Sequence, residues 1–197
     1  MPAIDLDRLR EDIVFEETLK GRAFTFHATW GLFNPKRVDP GSRLLIDYIQ
    51  TGSADRCLDL GCGYGPIGLA LGHMCPEGEV QMVAKDFVAI DYAHRNAVAN
   101  GCSNARVYLS NGFSHVPAEQ RFDLVVSNIP AKVGGQLLQY WMTETHRRLQ
   151  PGGMLWVVTV AGLKDYVKRV FRETFGNHRK VEQSGTHVVA MAIRDQE

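Results

Sequence analysis

The stretch from Cys57 to Leu71 constrains this chain more than any other. An apolar run, Cys57–Leu58–Asp59–Leu60, ends in a glycine-rich turn, Gly61–Cys62–Gly63–Tyr64–Gly65, and Pro66–Ile67–Gly68–Leu69–Ala70–Leu71 follows. This order predicts a buried strand, a tight loop and a helix start. Glycine permits positive φ and lets a ligand approach the main chain closely. Pro66 suits the first helical turn, where an N–H has no intrahelical acceptor. The free N–H groups of such a turn favour an anionic group, a carboxylate or a phosphate. The loop is therefore expected to bind a nucleoside cofactor.

Around it, strand and helix patterns alternate. Ile13–Leu19 and Arg22–Thr29 flank Lys20–Gly21 and predict a β-hairpin, after a short amphipathic helix over Ile4–Glu11. Ser42 is the expected cap of a helix over Arg43–Gln50. Beyond the loop, strands are expected at Val80–Ala84, Ala105–Leu109, Phe122–Ser127 and Met154–Val160, and helices at Ile67–His73, Phe87–Asn100, Gly135–Leu149 and Lys164–Phe175. Pro151–Gly152–Gly153 is expected to stop the Gly135 helix, and two strands near Arg179–Gln183 and Thr186–Ile193 complete the chain. The fold class that follows is α/β: a doubly wound, Rossmann-like, mostly parallel seven-stranded sheet with an antiparallel C-terminal strand and an N-terminal β-hairpin. One domain is expected over 1–197, with 1–41 as an N-terminal appendage and substrate-access segment and 42–197 as a cofactor-binding core.

Composition removes several classes. Lys plus Arg balances Asp plus Glu at 22 each, so no bulk basicity announces nucleic acid, and a basic face has to be found locally. No apolar run is long enough to span a membrane and no signal peptide is evident, which leads to a cytoplasmic expectation. The four cysteines form no C-x-x-C pair and the seven histidines have no metal-like spacing, so reduced thiols and no metal are expected. A dinucleotide fingerprint, G-x-G-x-x-G, fails because its third glycine position falls on Pro66.

The G-x-G-x-G loop after an acid resembles that of the class I S-adenosylmethionine-dependent methyltransferases. The segment Thr25–Asn34 with the turn Asp39–Pro40–Gly41–Ser42, the runs Phe113–Ser114, Phe122–Pro130 and Leu149–Gly153, and Phe175–Gly176–Asn177 resemble the small-domain (MTS) group, which includes ribosomal RNA guanine-N2 methyltransferases. The likeness covers about Phe15 to Ile193. It implies S-adenosyl-L-methionine as cofactor, held by Asp59, Gly61, Cys62, Gly63 and Gly65, with Asp59 near the amino group of its methionyl part. It also implies a strand-end acid for the ribose hydroxyls. Ala84 stands at the usual position, and Asp86, two residues on, either takes that role or caps the next helix. Asn111 would meet adenine or serve as an ordinary turn residue.

At the next strand end, Asn128–Ile129–Pro130–Ala131 resembles the Asn-Pro-Pro-aromatic motif of amino-group methyltransferases, with Ile and Ala at its second and fourth positions. An aromatic amine is a weak nucleophile because its lone pair is delocalised. Accepting hydrogen bonds from its N–H groups restores that pair, and the Asn128 side chain and the Ile129 carbonyl supply acceptors. Trp30 and Phe33 either sandwich a planar substrate or pack on the core, and Lys132 either meets a phosphate or is solvated surface. Arg147–Arg148, the Lys164, Lys168, Arg169 and Arg172 helix, and Arg179–Lys180 are the basic clusters, read as solvated faces or an RNA surface. The implied function is N-methylation of an exocyclic amino group of RNA guanine. A small-molecule or protein acceptor, or a binding module that has lost catalysis, are the alternatives.

Overall fold

The computed structural model describes residues 11–195; residues 4–10 of the expected N-terminal helix lie outside them. A seven-stranded sheet has the order β5-β4-β3-β6-β7-β9-β8. Its strands are β3 (Arg56–Leu60), β4 (Glu79–Ala84), β5 (Ala105–Leu109), β6 (Phe122–Asn128), β7 (Leu149–Val160), β8 (Arg179–Gln183) and β9 (His187–Ile193). The β3, β4, β5, β6 and β7 pairings are parallel, and β9 runs antiparallel to both β7 and β8. A separate hairpin pairs β1 (Ile13–Leu19) with β2 (Arg22–Ala28). The expected Rossmann-like architecture is thus the one observed. Strand order reverses at β3, so the ends of β3 and β6 flank the crevice where open parallel sheets bind ligands.

Alternation along each strand divides the core into two layers. On β3, Cys57 packs with α1 (Pro40–Tyr48), α2 (Pro66–Met74), α3 (Phe87–Ala99) and the hairpin, through Leu45, Leu69, Ala93 and Phe26. Leu58 and Leu60 point the other way, against α4 (Gly135–Arg148) and α5 (Lys164–Phe175), through Met142 and Phe171. Both faces are covered, which is why the strands read as nearly continuous apolar runs. Asn96 on α3 carries the hairpin: its Nδ2 donates to the carbonyls of His27 and Tyr64, both 2.9 Å, and its Oδ1 accepts from His27 N at 2.7 Å.

Two boundaries differ from the sequence reading. Helix α1 begins at Pro40, and its cap is Asp39, whose Oδ2 accepts from Gly41 N and Ser42 N at 2.9 and 3.1 Å. A carboxylate before proline outcompetes the later Ser42, because proline is pre-organised for the first helical position. Strand β7 begins at Leu149, so Pro151–Gly153 lies inside it. The β6–β7 register shifts between Phe122 and Leu124, leaving Pro151 exposed in the irregular stretch, while Gly152 N and Gly153 O bond to Arg194. Proline is tolerated there for the reason it is tolerated at bulges.

Candidate active site

The loop after β3 is held from three sides. Gly61 N and Cys62 N both donate to Val83 O, at 2.8 and 2.9 Å, tying the loop to the end of β4. Gly65 closes it at φ +106°, where a side chain would also strike Met82 Cε at 2.7 Å. Gly63, at φ +58°, has open space where a Cβ would stand. The N–H groups of Gly63 and Tyr64 find no acceptor among the described residues. A bare backbone with free donors is what a carboxylate-bearing ligand needs.

Asp59 lies one layer beneath this loop. It is 1% exposed, its Oδ2 accepts from Gly68 N at 2.8 Å in the first turn of α2, and its Oδ1 has no partner. Burial pushes its carboxyl up to about 7, against the Gly68 hydrogen bond that favours the charged form. Asp59 does not line the cavity that the loop borders. That cavity, about 310 Å3, is formed by Gly61, Cys62 and Gly63 of the loop, Asn128 and Pro130 at the end of β6, and Phe33 of the N-terminal loop. Phe33 is 69% exposed, so it does not pack on the core. Cys62 is buried and its thiol is pushed up by burial, which keeps it protonated and unreactive.

Asn128 is oriented by residues that sequence reading passed over. Its Nδ2 donates to Asp39 Oδ2 at 3.0 Å and to Ser42 Oγ at 2.9 Å. Both amide hydrogens are committed, and Oδ1 is left as an acceptor at the cavity. Turning the amide over would set Oδ1 against the Asp39 carboxylate, so this network assigns the orientation. Asp39 also accepts from Asn34 Nδ2 through Oδ1, at 2.7 Å, and Tyr64 Oη donates to the carbonyls of Asn34 and Arg37. The N-terminal loop, the glycine loop and the end of β6 are therefore one polar assembly. The signal in sequence was the Asp39–Ser42 turn, which reads as turn chemistry until its spatial neighbour is known. The Ile129 side chain is buried and its N–H donates to Val158 O, while its carbonyl takes no hydrogen bond among the described residues.

The other expected residues are spread around this centre. Asp86 caps α3, its side chain accepting from Ala89 N at 3.0 Å, and it is exposed near the end of β4. Asn111 is exposed in the turn after β5, where its backbone bonds to Ser114. Trp30 stands off the cavity with Lys36 Nζ 4.9 Å over its ring, and Lys132 is exposed and does not line the cavity. Arg148 is 8% exposed and donates to the carbonyls of Val116 and Pro117, so this half of the Arg147–Arg148 pair is structural. All four cysteines are free, with Cys57 and Cys75 Sγ atoms 3.6 Å apart. Among the described residues no group of three or more His, Cys, Asp or Glu is placed to hold a metal. No helix among them is long and apolar enough to cross a membrane.

Comparison with known proteins places this geometry. The model of the methyltransferase small domain matches residues 23–191. An uncharacterised protein of Bacillus subtilis is 36% identical over 141 residues, 71% of this chain and 70% of that protein. The ribosomal RNA large subunit methyltransferase G of Streptomyces avermitilis is 34% identical over 181 residues, covering 89% of this chain. The chain spans only 46% of that relative's length. Among solved structures, the T. thermophilus 16S rRNA N2 G1207 methyltransferase, in complex with AdoMet and guanosine, superposes with a TM-score of 0.83 at 30% identity. That match covers 92% of this chain and 50% of the other.

Proposed function

Because the chain belongs to the methyltransferase small domain family, we propose that it is an S-adenosyl-L-methionine-dependent methyltransferase acting on the exocyclic amino group of guanine in RNA. The observation that carries this reading is the Asn128 amide, both of whose hydrogens are taken by Asp39 and Ser42. Its Oδ1 is thereby fixed as an acceptor beside the glycine loop, where it can take an N–H of an amine nucleophile and turn the lone pair toward the methyl donor. Relatives at 34% and 30% identity, which act on ribosomal RNA by name, support the substrate class.

The residues present fit the cofactor. The open backbone of Gly61 and Gly63 and the free N–H groups of Gly63 and Tyr64 suit its carboxylate end. Asp59, with an orphaned Oδ1, props the loop from below and offers that oxygen toward its ammonium. Asp86 is the acid available to the ribose and Asn111 the amide available to adenine. When bound, the cofactor supplies a methyl group already activated on a sulfonium. The protein's task is alignment and exclusion of water.

On the acceptor side, Asn128 Oδ1 and the Ile129 carbonyl accept the two N–H bonds of the amine, turning its lone pair toward the cavity. Pro130 holds the carbonyl's direction, and Phe33 stacks on the base in place of the aromatic that Ala131 lacks. Lys132 is within reach of a flanking phosphate. Transfer leaves a positive nitrogen, which both oxygens stabilise before its proton passes to solvent. Residues 1–41 admit the acceptor and 42–197 hold the cofactor, in one cytoplasmic domain. A small-molecule acceptor is the second reading, favoured by the exposed Ala131, which leaves that side of the cavity open.

The test is a calorimetric titration with S-adenosyl-L-methionine followed by methyl transfer to guanine-containing RNA, to guanosine and to a metabolite panel. Binding with transfer to the guanine amino group is expected. No cofactor binding removes the whole reading, and transfer only to metabolites selects the second one.

A further inference from the structure

Away from this site, α5 and the outer strands β9 and β8 enclose a groove of about 430 Å3. Its walls carry four cations: Lys164, Lys168 and Arg172, which share one face of α5, and Lys180 of β8. Spacing along the helix brought the first three together, and the fold adds the fourth. Asp165 is the only carboxylate on its lining among the described residues. The side chains of Lys164, Lys168 and Arg172 form no ion pair or hydrogen bond among the described residues. They are therefore uncompensated, unlike Arg147 and Arg169, which pair with Glu144 and Glu173. His178, also on the lining, has its imidazole pushed down by burial and by the Lys168 and Arg172 charges, the mark of a positive local field.

A second observation is independent of charge. Thr159, on the groove's lining, is 1% exposed and its hydroxyl has no hydrogen-bond partner. A buried orphan hydroxyl is costly unless a ligand satisfies it. The location also matters. Thr159 follows Val158, which pairs with Asn128 across β6 and β7. Alternation turns the Thr159 side chain to the α5 face of the sheet and that of Asn128 to the α1 face, so the groove opens behind the strand ends that carry the amide acceptor.

We propose that this groove binds the phosphodiester backbone of the RNA, with the Thr159 hydroxyl donating to a phosphate oxygen and Lys164, Lys168 and Arg172 neutralising the chain. It rests on an RNA acceptor, and it gives the domain a sequence-independent grip on the face of the sheet behind the amide acceptor. A backbone held there has to pass over the C-terminal ends of β7 and β6 for a base of the same strand to meet Asn128. A neutral total charge is compatible with this, because the cations are concentrated in one concave place.

The experiment uses the full chain with a single-stranded guanine-containing RNA, measuring affinity across a salt series. The Lys164→Ala/Lys168→Ala/Arg172→Ala variant is expected to lower the slope of log affinity against log salt by about two. Its melting temperature and cofactor affinity are expected to stay unchanged. Thr159→Val is expected to weaken RNA binding about tenfold without lowering the melting temperature, since the hydroxyl it removes is unpartnered. Sodium tripolyphosphate is the second probe. An unchanged slope and affinity in a folded triple variant overturn the proposal. Tripolyphosphate binding that depends on these residues while RNA binding does not also overturns it, in favour of a small-anion site. The readout is RNA binding, so absence of methyl transfer would fail the functional reading and leave this one standing.

Discussion

Replacing Asn128 with Asp tests the network at the centre of the site. The two side chains are nearly the same size, so packing is conserved. The change turns an N–H donor, 3.0 Å from Asp39 Oδ2, into a second carboxylate oxygen. At an effective dielectric of 20, two charges about 3 Å apart repel by roughly 5 kcal/mol. Taking up one proton between them at neutral pH costs about 4 kcal/mol, so protonation is the cheaper escape. The folded variant then binds one more proton than its unfolded chain, and its stability falls as pH rises above about 4. Allowing for the partial exposure of residue 128, the expected loss is about 3 kcal/mol at pH 7 and close to none at pH 4. For a chain of this length that is roughly a 10 °C drop in Tm. Thermal melts of wild type and variant between pH 4 and 8 read this directly. Adding Asp39→Asn removes one of the two charges, but its amide cannot both donate to residue 128 and cap α1, because Asp39 Oδ2 serves both, so it is expected to remove the pH dependence while recovering only part of the loss. A variant whose Tm follows wild type across the range, or a double variant worse than the sum of its parts, would refute the assigned orientation of Asn128.

Other expectations concern separate parts of the site. Wild-type stability should fall by up to about 4 kcal/mol as pH rises from about 4 to 7, because the buried Asp59 carboxyl, pushed up to about 7, holds a proton that the unfolded chain releases near the ordinary 3.8. In Asp59→Asn the melts should lose that component, and an identical pH profile would disprove it. Phe33→Ala, at a residue 69% exposed, should leave Tm within about 1 °C and raise KM for the nucleic-acid acceptor about tenfold at constant cofactor affinity. Asp86→Ser keeps a capping oxygen for Ala89 N, so Tm should hold while S-adenosyl-L-methionine affinity drops about tenfold. Unchanged affinity by calorimetry would reduce Asp86 to its capping role.

Much of this protein is decided by short-range physics that a sequence displays. The glycine loop is legible because positive φ, a preceding apolar strand and a proline-opened helix are requirements of neighbouring residues on one another. Strand and helix periods report which faces are buried, and their alternation leaves few topologies for the sheet. The same reasoning found the hairpin and the end of β6, while Asn128 is singled out there by its resemblance to the motif of amino-group methyltransferases. Where two local signals competed, the sequence was ambiguous: Asp39 and Ser42 both cap helices, and Pro151 reads as a stop although a bulged strand start accepts it.

What only the tertiary structure decided is which way polar groups face. Asp39 and Asn128 are 89 residues apart, and nothing near either announces that one carboxylate caps a helix and orients an amide. Asp59 is read as facing a ligand and lies under the loop, because a strand's alternation tells the layer of a side chain but not what the next turn covers. The Lys164, Lys168 and Arg172 face is visible as a helical spacing, yet it becomes a groove only when β8 and β9 fold back beside it and Thr159 is left without a partner. Hydrogen-bond direction and electrostatic concentration depend on groups brought together by chain closure, and closure is a property of the whole fold.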